Sequence, residues 1–133
     1  MIEHSRFARA LALDPDLTDR DVRTAVLLLD YLEFENKLPV SQAELAIRMN
    51  STQPVISKCI KRLKEAGVLL EEGKGPGGHK LLRFSAAYVW KGSAKAHGRA
   101  YCRDSEATAL KREAAARKRR ARLKVVEGQP PLL

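Results

Sequence analysis

Apolar residues recur at helical spacing in several separate stretches of this chain, and two further apolar runs flank a glycine-rich loop. Phe7, Ala10 and Leu11 share one face of SRFARALAL, a short helix that stops near Pro15. It is free to dock on the rest of the chain or on a partner chain. From Thr18 to about Glu35 the residues Val22, Val26, Leu29 and Leu32 form one stripe, with Ala25 and Leu28 beside it. Thr18 reads as an N-cap and Asp21 as the reciprocal member of a capping box. Asp19 and Asp21 also suit the positive end of the helix dipole. Asn36-Lys37-Leu38-Pro39 ends this helix.

Ser41 opens a second capping box, SQAE, in which the hydroxyl serves the Glu44 amide and Glu44 reaches back. Leu45 and Met49 point inward, and Asn50 and Ser51 supply a turn. The next helix starts at Ser51 or Thr52, with Pro54 in its first turn, where a missing amide hydrogen costs little. Ile56, Cys59, Ile60 and Leu63 fall in one arc, and Pro54, Ser57, Lys58 and Lys61 in the opposite one. Gly67 is placed to terminate the helix in a left-handed conformation. Val68 to Glu71 and Lys80 to Phe84 are short enough for strands, and the loop between them holds four glycines and a proline, the composition of a hairpin tip. Tyr88 and Trp90 then pack against the domain as the chain leaves the hairpin. Residues 94–104 read as a linker. Ser105 caps a last helix rich in alanine, lysine and arginine, whose apolar face is weak and which would fray alone in water. The segment VEGQPPLL reads as disordered.

The expected fold is mainly α with a small β-hairpin: a winged helix-turn-helix over residues 18–93, preceded by a helical arm over 1–17. Residues 94–133 follow as linker, basic helix and tail. At 133 residues the chain suffices for one small core. Charge sharpens this picture. The net charge of +9 is uneven: residues 1–92 hold 14 Lys/Arg against 12 Asp/Glu, and residues 93–133 hold 11 against 4. A nearly neutral body with a basic tail suits a polyanion, and nucleic acid fits better than membrane because no apolar face accompanies the charge. No apolar run is long enough to span a bilayer, and no apolar stretch follows a basic start as in a secretory signal. Cys59 and Cys102 form neither a CxxC pair nor metal-like spacing; Cys59 reads as a small buried thiol, and the expected compartment is the reducing cytoplasm.

The outward arc of the third main helix combines hydroxyl, amide and basic groups with no acid before Glu65. That mixture suits base edges and phosphates. Gln53 can pair with adenine, Thr52 and Ser57 can donate to bases or phosphates, Lys58 can reach guanine or the backbone, and Val55 can touch a thymine methyl. Pro54 lies on the same arc, and Lys61 and Arg62 are expected at phosphates. In the hairpin tip Lys74, His79 and Lys80 are expected near phosphate or the minor groove. In the tail Arg117, Lys118, Arg119 and Arg120 form a non-specific clamp, with a solvated tail or a dimer-forming helix as the alternatives. GKGPGG matches G-x-G-x-x-G, yet a β-like run follows it where the dinucleotide fingerprint requires a helix. His4, His79 and His97 lie in unrelated segments, and no metal motif, nucleophile elbow or Walker loop appears. The expectation is therefore a non-enzyme without metal, cofactor or small-molecule effector.

The run SQAELAIRMNSTQPVISKCIKRLKEAGVL resembles the winged-helix segment of many bacterial regulators. Its continuation through GHKLLRFSAAYVWKGS resembles the small winged-helix replication and regulatory proteins of plasmids, the RepL-like group, over residues 18–93. The resemblance implies a recognition helix at Thr52 to Ala66 and a wing at Gly73 to Lys80. It leaves the basic tail unaccounted for. Together these readings predict a homodimeric, sequence-specific regulator of double-stranded DNA, most simply a repressor from a plasmid or other mobile element binding an inverted repeat. A replication initiator at a plasmid origin and a protein-interaction winged helix are the alternatives.

Overall fold

The computed structural model describes residues 4–74 and 80–127, so His79 and the C-terminal residues 128–133 lie outside the described residues. The chain is mainly helical with one two-stranded antiparallel hairpin. In order it forms α1 (His4–Ala12), α2 (Asp19–Leu28), two 3-10 turns (Leu29–Tyr31 and Phe34–Asn36), α3 (Gln42–Arg48), α4 (Gln53–Glu65), β1 (Leu69–Lys74), β2 (Lys80–Phe84) and α5 (Ala94–Glu127).

The core gathers where α4 packs on α2 and α3 and where the hairpin closes beneath α4. Ile56, Cys59, Ile60 and Leu63 are all buried, as their spacing predicts, and Ile56, Ile60 and Leu63 share one apolar cluster with Leu28, Leu45, Val68, Leu69 and Phe84. Each such side chain contributes about 1.5–3 kcal/mol on leaving water. The arm α1 docks on this same core. Phe7 lies 5.7 Å from the Phe84 ring and 6.4 Å from the Tyr88 ring. Tyr88 and Trp90 are buried, as expected.

Four expectations about local structure need correction. First, the helix opened by Thr18 ends at Leu28 and not near Glu35. Its full capping box forms, with Thr18 and Asp21 bonded reciprocally. Its inward face is Asp21, Thr24, Ala25 and Leu28, while Val26 is 53% exposed. These inward residues sit at i, i+3, i+4 and i+7, but two are polar, so counting apolar residues selects the wrong stripe. The helix tightens into the 3-10 turn Leu29–Tyr31 and the chain turns extended at Leu32 and Glu33, before Glu35 and Asn36 take left-handed backbone conformations, φ 59° and 63°. Buried Asn36 ties this connection to the hairpin exit. Its amide donates to the carbonyls of Phe84 (3.0 Å) and Val89 (2.8 Å), and its oxygen accepts from the Lys91 amide (2.9 Å).

Second, SQAE forms only half a box. Ser41 Oγ accepts from the Glu44 amide at 3.1 Å, but Glu44 accepts from the Tyr31 hydroxyl at 3.4 Å. Third, residues 94–104 are no linker and Ser105 is no cap. Both belong to α5, a single helix of 34 residues, about 50 Å long at 1.5 Å per residue. Fourth, Val126 and Glu127 continue that helix, although VEGQPPLL reads as disordered.

Side-chain bonding overrides the weak apolar pattern of α5. His97 stacks on Trp90 at 5.4 Å. Asp104, fully buried, receives both terminal nitrogens of Arg83 on β2 and, at 2.8 Å, the Ala86 amide. Thr108 donates to the Gly67 carbonyl and shares a hydrogen bond with Ser85, each at 2.8 Å. Arm, central body and last helix therefore share interior contacts, and the boundaries expected at 17/18 and 93/94 do not separate independent units.

Candidate nucleic-acid interface

The site begins with two helices and the turn between them. Met49 to Thr52 connect α3 to α4, and Asn50 takes φ 50° there, a left-handed turn residue as asparagine tolerates. Thr52 stands at the N-cap of α4 in extended geometry and makes no capping hydrogen bond, so its hydroxyl is left for other partners. With Ile56, Cys59, Ile60 and Leu63 facing inward, the 100° step per residue turns Pro54, Ser57, Lys58 and Lys61 outward. Thr52, Gln53, Pro54, Ser57, Lys58 and Lys61 are all exposed, and Val55 is half-buried. Nothing else among the described residues covers this arc.

Arg62, expected at phosphate, already holds a partner within the chain. It sits at the edge of the arc and its Nε donates to Asp21 Oδ2 at 2.6 Å. Burial pushes the Asp21 carboxyl up, but the bonds from Arg62 and the Thr18 amide outweigh that and hold it below the usual carboxylate range. The pair locks α4 to α2. It thereby fixes which face of α4 looks outward without itself joining that face. Lys64 is similarly occupied, pairing with Glu71 at 2.8 Å.

The hairpin follows α4 directly. Gly67 takes φ 78°, as its position beyond the last helical turn requires. Strand pairing runs from Leu69↔Phe84 to Lys74↔Lys80, with one extra residue between Glu71 and Lys74, where Gly73 takes φ 58° in the manner of a bulge. Lys74 and Lys80 thus stand opposite one another in the last register position, at the mouth of the loop.

Rotation about α5 breaks up the tail cluster. Four consecutive residues span 300° of a helix, so Arg117, Lys118, Arg119 and Arg120 do not share one face. Arg119 bonds to Asp16 at 2.8 Å and lies 3.8 Å from Asp14, in the α1–α2 connection; Arg122 reaches Asp16 at 3.3 Å. Arg117 pairs with Glu113 one turn back, while Lys118 and Arg120 are exposed.

Sequence reasoning missed the groups that orient these elements: Asn36, Arg83 and Asp104. Asp104 left one signal. It lies four residues before Thr108 and seven after His97, on one helical face. Burial pushes its carboxyl up, but the bonds from Arg83 and the Ala86 amide outweigh that and hold it low.

Among the described residues no group of three His, Cys, Asp or Glu is placed to hold a metal ion, and no helix is long and apolar enough to cross a membrane. Compared with protein-family models, with curated proteins and with solved structures, the chain matches none.

Proposed function

We propose that this chain is a sequence-specific regulator of double-stranded DNA, built as a winged helix-turn-helix in which α3 and α4 are the paired helices and the β1–β2 hairpin is the wing. The observation that carries the reading is the outward arc of α4. Ser57, Lys58 and Lys61 are exposed together on one face, Thr52 and Gln53 are exposed at the N-terminal end of the same helix, no acid interrupts them, and the rest of the described chain leaves them uncovered. A helix so furnished fits the major groove: short polar side chains at its N-terminal end meet base edges, and the lysines meet phosphates. Two copies bind an inverted repeat with half-sites about one helical turn apart. Occupancy of such a site blocks a promoter without chemistry or cofactor, which makes a repressor the simplest regulator of this kind.

Selection of bound fragments from a random duplex pool, followed by footprinting, tests the proposal. The expected product is a palindromic consensus protected as two half-sites. A pool that shows no enrichment at low salt refutes DNA reading. A single asymmetric footprint refutes the dimer.

A further inference from the structure

We infer that the duplex contacted by α4 is also held by one particular face of α5, through Lys111 and Lys118, at a cleft between the two helices; the inference rests on the DNA-binding reading above. The C-terminal end of α4 and the middle of α5 enclose a cleft of about 280 Å³. From α4 it receives Arg62 and Glu65; from α5 it receives Lys111, Lys118 and Arg122. A neighbouring cleft, also lined by Glu65, is lined by Lys61 from α4 and Lys111 from α5. The outward arc of α4 therefore runs on at its C-terminal end into basic positions of α5, from Lys58 to Lys61 to Lys111 to Lys118.

The cations of this region differ in what they already hold. Arg62 is bonded to Asp21, and Arg122 to Asp16. Asp16 is thus neutralised where it lines the cleft, and Glu65 is the remaining carboxylate there. Lys111 and Lys118 form no ion pair among the described residues. They stand seven residues apart, two turns on one face, about 10 Å along the axis. Ala114 and Ala115 lie between them on the cleft wall, so the helix surface there is shallow and a linear polyanion can lie along it with an ammonium at either end. Arg117, Arg120 and Lys124 rotate to the far side of α5 and face away from the α4 arc. The clamp is a two-lysine edge continuous with α4, not the four-residue basic run.

The test is the salt dependence of affinity of the full-length chain for a fluorescein-labelled duplex of random sequence, between about 50 and 200 mM NaCl. Lys111→Ala/Lys118→Ala is compared with Lys95→Ala/Arg99→Ala, which removes the same charge from two exposed positions at the start of α5. Two lost phosphate contacts lower the log–log slope by about 1.8, so over this range the first variant loses about tenfold less affinity than the unaltered chain. The second variant keeps the original slope. An unchanged slope in the first variant, or an equal fall in both, overturns the inference while leaving DNA binding intact. If the unaltered chain binds no duplex at all, the DNA-binding reading itself falls, and this inference with it.

Discussion

Replacing Asp104 by alanine strikes the joint between the hairpin and the last helix. The carboxylate receives both terminal nitrogens of Arg83, one at 2.7 Å, as well as the Ala86 amide at 2.8 Å. The Arg83 side chain is 7% exposed and its other acidic neighbour, Glu72, is 3.4 Å away and half in solvent. Removing Asp104 strands a buried guanidinium and an unmatched buried amide. Breaking one side of such a pair costs about 3–5 kcal/mol. A domain of this size has about 5–15 kcal/mol in total, so the variant loses a large part of its stability. Urea unfolding followed by the fluorescence of the single tryptophan, Trp90, measures this directly. With an m-value near 2 kcal/mol/M the midpoint falls by about 2 M. Asp104→Asn keeps the shape and one acceptor, and costs about 1.5–3 kcal/mol. The pH dependence has a definite sign. Asp104 titrates below its unfolded value of about 3.9, so its contribution is full above that value and is lost as pH falls through the lower folded one. The alanine variant and the unaltered chain therefore converge in stability on acidification. A loss under about 0.5 kcal/mol at neutral pH, or a gap that stays constant into acid, refutes the assignment of this pair as the joint.

Lys58→Ala lowers the salt slope of DNA binding by about 0.9 and leaves urea stability unchanged. Arg62→Ala does the opposite: the slope holds, and stability falls by about 1.5 kcal/mol, the low end for a charged hydrogen bond because Arg62 is partly in solvent. Equal slopes lost in both would return Arg62 to the phosphate-binding face. Gly67→Ala costs about 1–2 kcal/mol for its left-handed backbone, and the added carbon meets Thr108 at 3.0 Å; urea midpoints check this, and a neutral effect contradicts the close approach of α5. An aromatic disulfide reagent titrates one thiol, Cys102, in the native protein and two in denaturant, because Cys59 is buried and burial pushes its thiol up; two fast native thiols would refute the packing of α4 against α2.

Much of the fold is legible where a residue's nearest neighbours in sequence decide its state. The caps at Thr18 and Ser41, the apolar arc of α4 and the left-handed Gly67 all follow from a few residues each. The exposed arc is legible for the same reason: once four apolar positions fix the inner face of a helix, the outer face follows by rotation. What escapes is what depends on partners distant in the chain. The fully buried Asp21 looks like a dipole-compensating surface acid until Arg62, 41 residues on, is placed beside it. Asn36 looks like a loop residue until the carbonyls of Phe84 and Val89 close around it. The first turns of α5 look like a linker because Gly98 and a weak apolar pattern argue against helix. Trp90, Arg83 and Gly67 supply the contacts that hold it, and none of them is local. Composition alone also overstates the tail: ARKRRARLK is a single block in one dimension and three differently directed groups on a helix.

The joint between Arg83 and Asp104 also constrains how the polypeptide matures on the ribosome. Translation delivers the hairpin first, with a guanidinium destined for the interior and no counter-ion yet synthesised. Twenty-one residues later the counter-ion is made, and it must still clear the exit tunnel before the two can meet. Closing the hairpin before that carboxylate is in place would leave a desolvated cation inside it, so the interior is completed only when the last helix docks as the closing piece.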